Sequence, residues 1–138
     1  MGEPIPTPRE LEALKVLWKL GHATVRDVYC HLKPQGSDLA YTSILSLMQT
    51  MEKKGLVSRT GGGQGRTHQY VANVRADHTL RRVARTFLDT VFDGALAQYV
   101  VRALEARKPK LEELDEIEEM IAKARQRATE QGKQGGRQ

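Results

Sequence analysis

Residues 39–72 read LAYTSILSLMQTMEKKGLVSRTGGGQGRTHQYVA, a stretch that begins with a helical pattern and ends with two β-prone runs. At about 100° per residue, Ile44, Leu47, Met48 and Met51 fall on one side of a helix from about Ala40 to Lys54. Thr42, Ser46, Gln49, Thr50 and Lys53 fall on the other side, with Ser43 at its margin and Leu45 between the faces. Gly55 suits the left-handed residue that commonly ends a helix. Leu56–Thr60 and Thr67–Ala72 read as strands, joined by a loop rich in glycine that carries Arg66. A helix with a hydroxyl and amide face therefore stands directly before a glycine-rich, basic hairpin.

Upstream, Thr7-Pro8-Arg9-Glu10 forms a capping box with proline at the first helical position, where its missing N–H costs nothing. Leu11, Leu14, Leu17 and Trp18 make the apolar stripe of that first helix, and Gly21 stops it. Thr24-Val25-Arg26-Asp27 opens a second helix by the same logic, with Val25, Val28, Tyr29 and Leu32 facing inward. Lys33-Pro34-Gln35-Gly36 ends it, because proline removes a donor and disfavours helix before it. Cys30, in the helical run DVYCHL, is expected to be a small buried or half-buried residue.

Downstream, a second pattern starts near Asp77. Leu80, Val83, Ala84, Phe87, Leu88, Val91 and Phe92 form a sustained stripe on one long helix, which Gly94 interrupts. Leu96, Val100, Ala103 and Leu104 continue on another helix until Pro109, and Leu111, Leu114, Ile117 and Ile121 mark a last, Glu-rich one. A linear helical appendage cannot bury such stripes against itself, but a two-fold partner can. Leu80, Phe87, Leu88, Val91, Phe92, Leu96, Val100, Leu104, Leu114, Ile117 and Ile121 are thus the expected dimer seam. The expected organisation is mainly α (α+β): a winged-helix domain over 1–74 and a helical dimerisation domain over 75–128. The apolar-free tail over 129–138 is expected to be disordered.

Charge follows these regions. The net charge is +5 and the pI about 9.5, which favours a polyanionic partner. Residues 1–73 hold nine Lys/Arg against six Asp/Glu, residues 74–110 eight against four, and residues 111–138 five against seven. The acidic surplus is confined to the last helix and tail, so that part should not face a polyanion.

A polar-faced helix after two shorter helices is the helix-turn-helix order, in which the last helix enters the major groove. Thr, Ser and Gln hydrogen-bond base edges or phosphates, whereas acids would be repelled there. The expected contacts are Tyr41, Thr42, Ser43, Ser46, Gln49 and Thr50 in or beside the groove. Lys53, Lys54, Arg59, Arg66 and His68 are the expected phosphate contacts, and the glycines let the loop approach a backbone closely. The residues point to a winged helix that binds double-stranded DNA. The alternative is a winged-helix protein-interaction module that does not bind DNA, and a third reading is a ligand-binding or enzymatic domain.

The enzyme reading finds little in the residues. His22, His31, His68 and His78 have no metal-ligand spacing, and the single cysteine excludes an intramolecular disulfide or a multi-cysteine metal site. Gly61–Gly65 precedes a strand and lacks the Lys-Ser/Thr of a phosphate loop. No catalytic residue, metal or cofactor is expected. No leader pattern or bilayer-length apolar run is present in the sequence, so a cytoplasmic chain without membrane insertion is expected.

LEALKVLWKLGHATVRDVYCHL (11–32), LAYTSILSLMQTMEKKGLVSR (39–59), FLDTVFDGALAQYVVRALE (87–105) and DEIEEM (115–120) together resemble the penicillinase repressor family. The resemblance covers about residues 7–125, with Ala-Tyr-Thr-Ser-Ile and Phe-Asp-Gly-Ala-Leu its more specific pieces. It implies a winged-helix homodimer that represses genes from a two-fold symmetric operator. In the family's best-known members a membrane sensor protease relieves repression by enabling cleavage in the dimerisation region, which makes such a protease a candidate partner without carrying that mechanism over to this chain. The family's Asn-Phe cleavage bond aligns with Arg102-Ala103, the candidate cleavage site here. The cysteine-rich tail of the copper-responsive relatives has no counterpart.

Overall fold

The computed structural model describes residues 4–33, 39–61 and 67–135. The elements run α1 (Pro8–Leu20), α2 (Val25–Leu32), α3 (Tyr41–Lys54), β1 (Val57–Thr60), β2 (Gln69–Ala72), α4 (Ala76–Val91), α5 (Leu96–Ala106) and α6 (Leu111–Gly135). Expected elements and observed ones agree in order and type, with most ends shifted by one or two residues and the end of α6 by more. The proline-glycine stop after α2 and the glycine-rich loop lie outside the described residues.

Local chemistry sets the helix ends. Thr7 and Glu10 form a complete capping box on α1, and Thr24 and Asp27 do the same on α2. α3 starts at Ala40 without a side-chain cap and ends at Gly55, whose φ of 83° and ψ of 9° are left-handed. A Cβ at Gly55 would meet nothing, so backbone conformation alone demands glycine there.

The chain divides into two compact units, Met1–Val91 and Phe92–Gln138. The first thus keeps α4, so its boundary falls after the expected break at 74/75. In it α1 packs on α2, α3 and β2, α2 on α3, and α3 on β1. Ala13, Leu14, Leu17, Val28, Ile44, Met48, Met51, Leu56 and Val57 form the core. β1 and β2 pair antiparallel, Val57 opposite Ala72 and Thr60 opposite Gln69. A third rung, unsignalled in the sequence, joins Ala23 to Tyr70 through backbone hydrogen bonds of 3.1 and 2.7 Å. Trp18 Nε1 donates to the Val74 carbonyl at 3.0 Å, fixing the exit from β2 against α1. Along α4, Thr79 is buried and its hydroxyl has no hydrogen-bond partner among the described residues. A groove of about 320 Å³ lies between the Ile5–Leu11 segment and the Val83–Val91 part of α4, lined mainly by apolar side chains.

In the second unit Asp93 and Gly94, with φ of 51° and 80°, form the turn into α5. Phe92 meets Tyr99 edge-on at 5.2 Å. No described residue of this unit is buried.

Two expectations are corrected. Cys30 is exposed, because it lies two positions after buried Val28 and so points to the outer side of α2. α6 continues to Gly135 into the tail expected to be disordered. Apolar residues are not needed for a helical backbone, and Ala, Arg, Gln, Glu and Lys are all good helix formers.

One ion pair crosses the first unit. Lys54 Nζ lies 2.8 and 3.1 Å from the two carboxylate oxygens of Glu10, whose side chain is 2% exposed. Burial pushes the Glu10 carboxyl up, but hydrogen bonds from Lys54 and Thr7 and the Lys54 charge outweigh it, leaving it below its ordinary value. A carboxyl so depressed stabilises the fold fully above its unfolded value, about 4.3, and that contribution is lost as the pH falls through the lowered value. Lys54→Met strands the carboxylate, and a loss of roughly 3 kcal/mol at neutral pH is expected, the low end for a broken buried pair because Lys54 is 35% exposed. The difference from wild type should shrink at acid pH in urea denaturation followed by circular dichroism. An equal loss at neutral and acid pH would refute this account.

Candidate nucleic-acid interface

α3 presents two unlike faces. Ile44, Met48 and Met51 are buried in the core, while Thr42, Ser43, Ser46, Gln49, Thr50 and Lys53 are exposed on the other side. Thr42, Ser46, Gln49 and Lys53 follow one another along the helix at spacings of three and four, and Ser43, Ser46 and Thr50 run beside them. The face offers hydroxyls, one amide and one ammonium. Its chemistry is hydrogen bonding and charge neutralisation, and it assembles no nucleophile with a base.

The ends of α3 are held differently. At its start Tyr41 is 40% exposed, and its ring meets that of Tyr29 edge-on at 5.8 Å and 74°. The Arg26 guanidinium lies 6.0 Å from the Tyr41 ring centre, and Lys33 Nζ lies 5.7 Å from that of Tyr29. Tyr41 thus packs against α2 at the start of α3. At the other end Lys54 is held by Glu10, so its ammonium is committed to the fold.

The turn into the hairpin is also tied. Asn73 Nδ2 donates to the Gly55 carbonyl at 3.2 Å, and the Ser58 hydroxyl donates to Asn73 Oδ1 at 2.9 Å. Arg59 Nε donates to Glu52 at 2.8 Å, and that bond and the Glu52 charge raise the Arg59 pKa above its ordinary value. Arg59, expected at phosphate, is thus bound to a carboxylate across α3 and β1. His68 is exposed just before β2. Arg66 and the loop glycines 62–65 lie outside the described residues.

The structure brings Thr42, Ser43, Ser46, Gln49, Thr50 and Lys53 together on one surface and draws Lys54 out of it. Residue patterning overlooked Arg26 and Lys33. Their spacing of three and four from Tyr29 on one helix was the available signal, but the contact with Tyr41 depends on how α2 meets α3. Among the described residues no group of three His, Cys, Asp or Glu side chains could hold a metal ion, and no helix is long and apolar enough to cross a membrane.

The sequence model of the penicillinase repressor family matches residues 6–123. The penicillinase repressor of Bacillus licheniformis is 25% identical over 121 residues, covering 88% of this chain and 92% of that protein. The solution structure of the DNA-binding domain of the repressor BlaI is 25% identical with a TM-score of 0.47, covering 54% of this chain and 88% of that one. The crystal structure of the YusO protein from Bacillus subtilis shares the fold with a TM-score of 0.51 at 19% identity, covering 87% of this chain and 74% of that one. The matched family is one of transcriptional repressors and not an enzyme class. The chain belongs to the penicillinase repressor family and is a winged-helix, DNA-binding transcriptional repressor.

Proposed function

We propose that two copies of this chain bind a two-fold symmetric operator in the cytoplasm, each placing α3 in the major groove and its hairpin on the flanking backbone. The observation that carries this reading is the exposed face of α3, with hydroxyls, an amide and Lys53 opposite a fully apolar buried face. Thr42, Ser43, Ser46, Gln49 and Thr50 read base edges, with Tyr41 beside them, while Lys53, His68 and Arg66 approach phosphates.

Exposed apolar side chains support the second copy. Leu80, Phe87 and Val91 on α4 are 46–54% exposed, and Leu96 on α5 and Ile121 on α6 are 61% and 48% exposed. Leu88 on α4 and Leu114 and Ile117 on α6 are half-buried. A partner that covered these faces would remove apolar area from water at about 25 cal/mol per Å². With two half-sites joined, each bound half raises the effective concentration of the other, so operator affinity depends on the dimer.

Release by a sensor protease would act on the same faces, by separating α6 from the rest of the seam. Arg102 lies inside α5, its guanidinium 3.0 Å from the Glu105 carboxylate. Proteolytic nicking favours exposed loop tips, so α5 has to open locally before cleavage at Arg102-Ala103. A pocket shaped for Asn-Phe also loses its apolar subsite contact at Ala103.

Four experiments test this. Ser46→Ala should cost on the order of 1–3 kcal/mol and relax preference at one operator position per half-site, read by binding to a randomised operator library. Lys53→Ala should weaken all duplexes alike and make the log-affinity against log-salt slope shallower by about 0.9. A reversal of these two outcomes would sink the assignment of α3. Joint replacement of Phe87 and Val91 by Asp buries unpaired charge in the seam and should give monomers in light scattering with residues 7–72 still folded. Wild type that is monomeric at high micromolar concentration would end the dimer proposal. Finally, the chain should resist a sensor protease from a penicillinase system presented in membranes. Arg102→Asn combined with Ala103→Phe should raise the cleavage rate, followed by fragment mass, without abolishing DNA binding. Rapid cutting of wild type at Arg102-Ala103 would refute the resistance.

A further inference from the structure

We infer that Arg26 and Lys33, carried on the paired rings of Tyr41 and Tyr29, form a phosphate-gripping station beside the start of α3 and replace Lys54 and Arg59 as backbone contacts. The inference rests on the reading of α3 as the groove helix and adds where the duplex backbone is held.

Four cations of the first unit are fixed by the structure in two contrasting ways. Lys54 bonds both oxygens of the buried Glu10 carboxylate, and Arg59 bonds Glu52 at 2.8 Å. A cation in an ion pair has its charge already matched, and to meet a phosphate it must first leave a carboxylate behind. For Lys54 that carboxylate is 2% exposed, so departure would strand a buried charge. These two residues raise the basic count of the region without offering it to a polyanion.

Arg26 and Lys33 differ. Both are exposed, and among the described residues neither has a carboxylate within ion-pair distance. Asp27, the acid next to Arg26, is turned back onto the Thr24 N–H at 3.0 Å as part of the α2 cap. An aromatic face attracts a cation but does not cancel its charge, so the N–H groups away from the ring remain available to phosphate oxygens. The sequence Arg26, Tyr41, Tyr29, Lys33 forms a continuous row, with steps of 6.0, 5.8 and 5.7 Å between charge and ring centres. Because Tyr41 is the first residue of α3, this row starts where the groove-facing side chains start. The ring contacts also restrict the long side chains before binding, which lowers the ordering cost of each phosphate contact. The row therefore suits the sugar-phosphate strand that borders the groove, with Lys53 at the other end of α3.

The test uses the full chain, a random-sequence duplex and the DNA upstream of its own gene, with fluorescence anisotropy over a salt series. Arg26→Gln and Lys33→Gln should each make the log-affinity against log-salt slope shallower by about 0.9, and the double variant by about 1.8, equally on both duplexes. Arg26→Lys, which keeps the charge, should restore the slope, and Arg59→Gln should leave it at the wild-type value. Matching circular dichroism melts establish that the variants are folded. Wild-type slopes in folded Arg26→Gln and Lys33→Gln would overturn the inference while leaving the groove reading intact. A shallower slope for Arg59→Gln would overturn it too, by returning Arg59 to the phosphates. Wild type without salt-dependent binding to either duplex would instead defeat the groove reading itself.

Discussion

The Glu10 carboxylate holds the DNA-binding unit together at the place where α1 begins and α3 ends. It accepts the Thr7 N–H as the closing half of the α1 capping box and receives both hydrogen bonds of Lys54 from the last turn of α3. One buried acid thus defines the start of one helix and the seat of another. A glutamine could complete the cap but not match the ammonium. With its end pinned by Glu10, its middle by Ile44, Met48 and Met51, and its start by the Tyr29–Tyr41 contact, α3 is immobilised entirely from behind. The exposed face is then free of structural duties. That division lets the exposed side chains of α3 vary without cost to the fold, as the proposed reading of base edges requires.

The same division sorts the cations. A net charge of +5 treats every Lys and Arg as equal, yet Lys54 and Arg59 close bonds inside the protein while Arg26 and Lys33 rest on aromatic rings. The Arg59–Glu52 bridge is exposed and contributes little to stability on its own. Its consequence is geometric: with Asn73 on the Gly55 carbonyl, it fixes the turn between α3 and the hairpin. Both contacts sit where the hairpin leaves α3.

What could be read from the residues was local. The two capping boxes, the left-handed Gly55 and the two faces of α3 each depend on residues within four positions of one another, and each was legible. Cys30, expected buried or half-buried, was misplaced although the same periodicity puts it outside, since the inward positions 25, 28, 29 and 32 of α2 exclude it. The links that were not legible join distant positions: Glu10 to Lys54, Trp18 to Val74, Ala23 to Tyr70, and Arg26 to Tyr41. Their partners become neighbours only once helices cross, and crossing is set by the whole core. The site was therefore visible as a face, while the allocation of its charges was not. The tail was misjudged for a different reason, because absence of apolar residues denies a helix packing but not its internal hydrogen bonds.

The exposed apolar faces make the strongest physical case for a second chain. α6 runs for 25 residues with no buried side chain among those described, and Leu111 and Met120 are 74% and 56% exposed. Helices gain most of their stability in proteins from packing an amphipathic face, and α5 and α6 each carry such a face. A copy of the same chain is the simplest cover, because a two-fold operation brings each face to its own equivalent and closes the assembly. Residues 111–138 carry seven acids against five bases, so the polar side of α6 is suited to solvent and unsuited to a polyanion. In the proposed dimer, apolar cover and operator affinity become one quantity. Whatever uncovers α5 or α6 also uncouples two DNA-binding units that individually hold only half a site. A cut within α5 would then be felt at the operator without any change in α3.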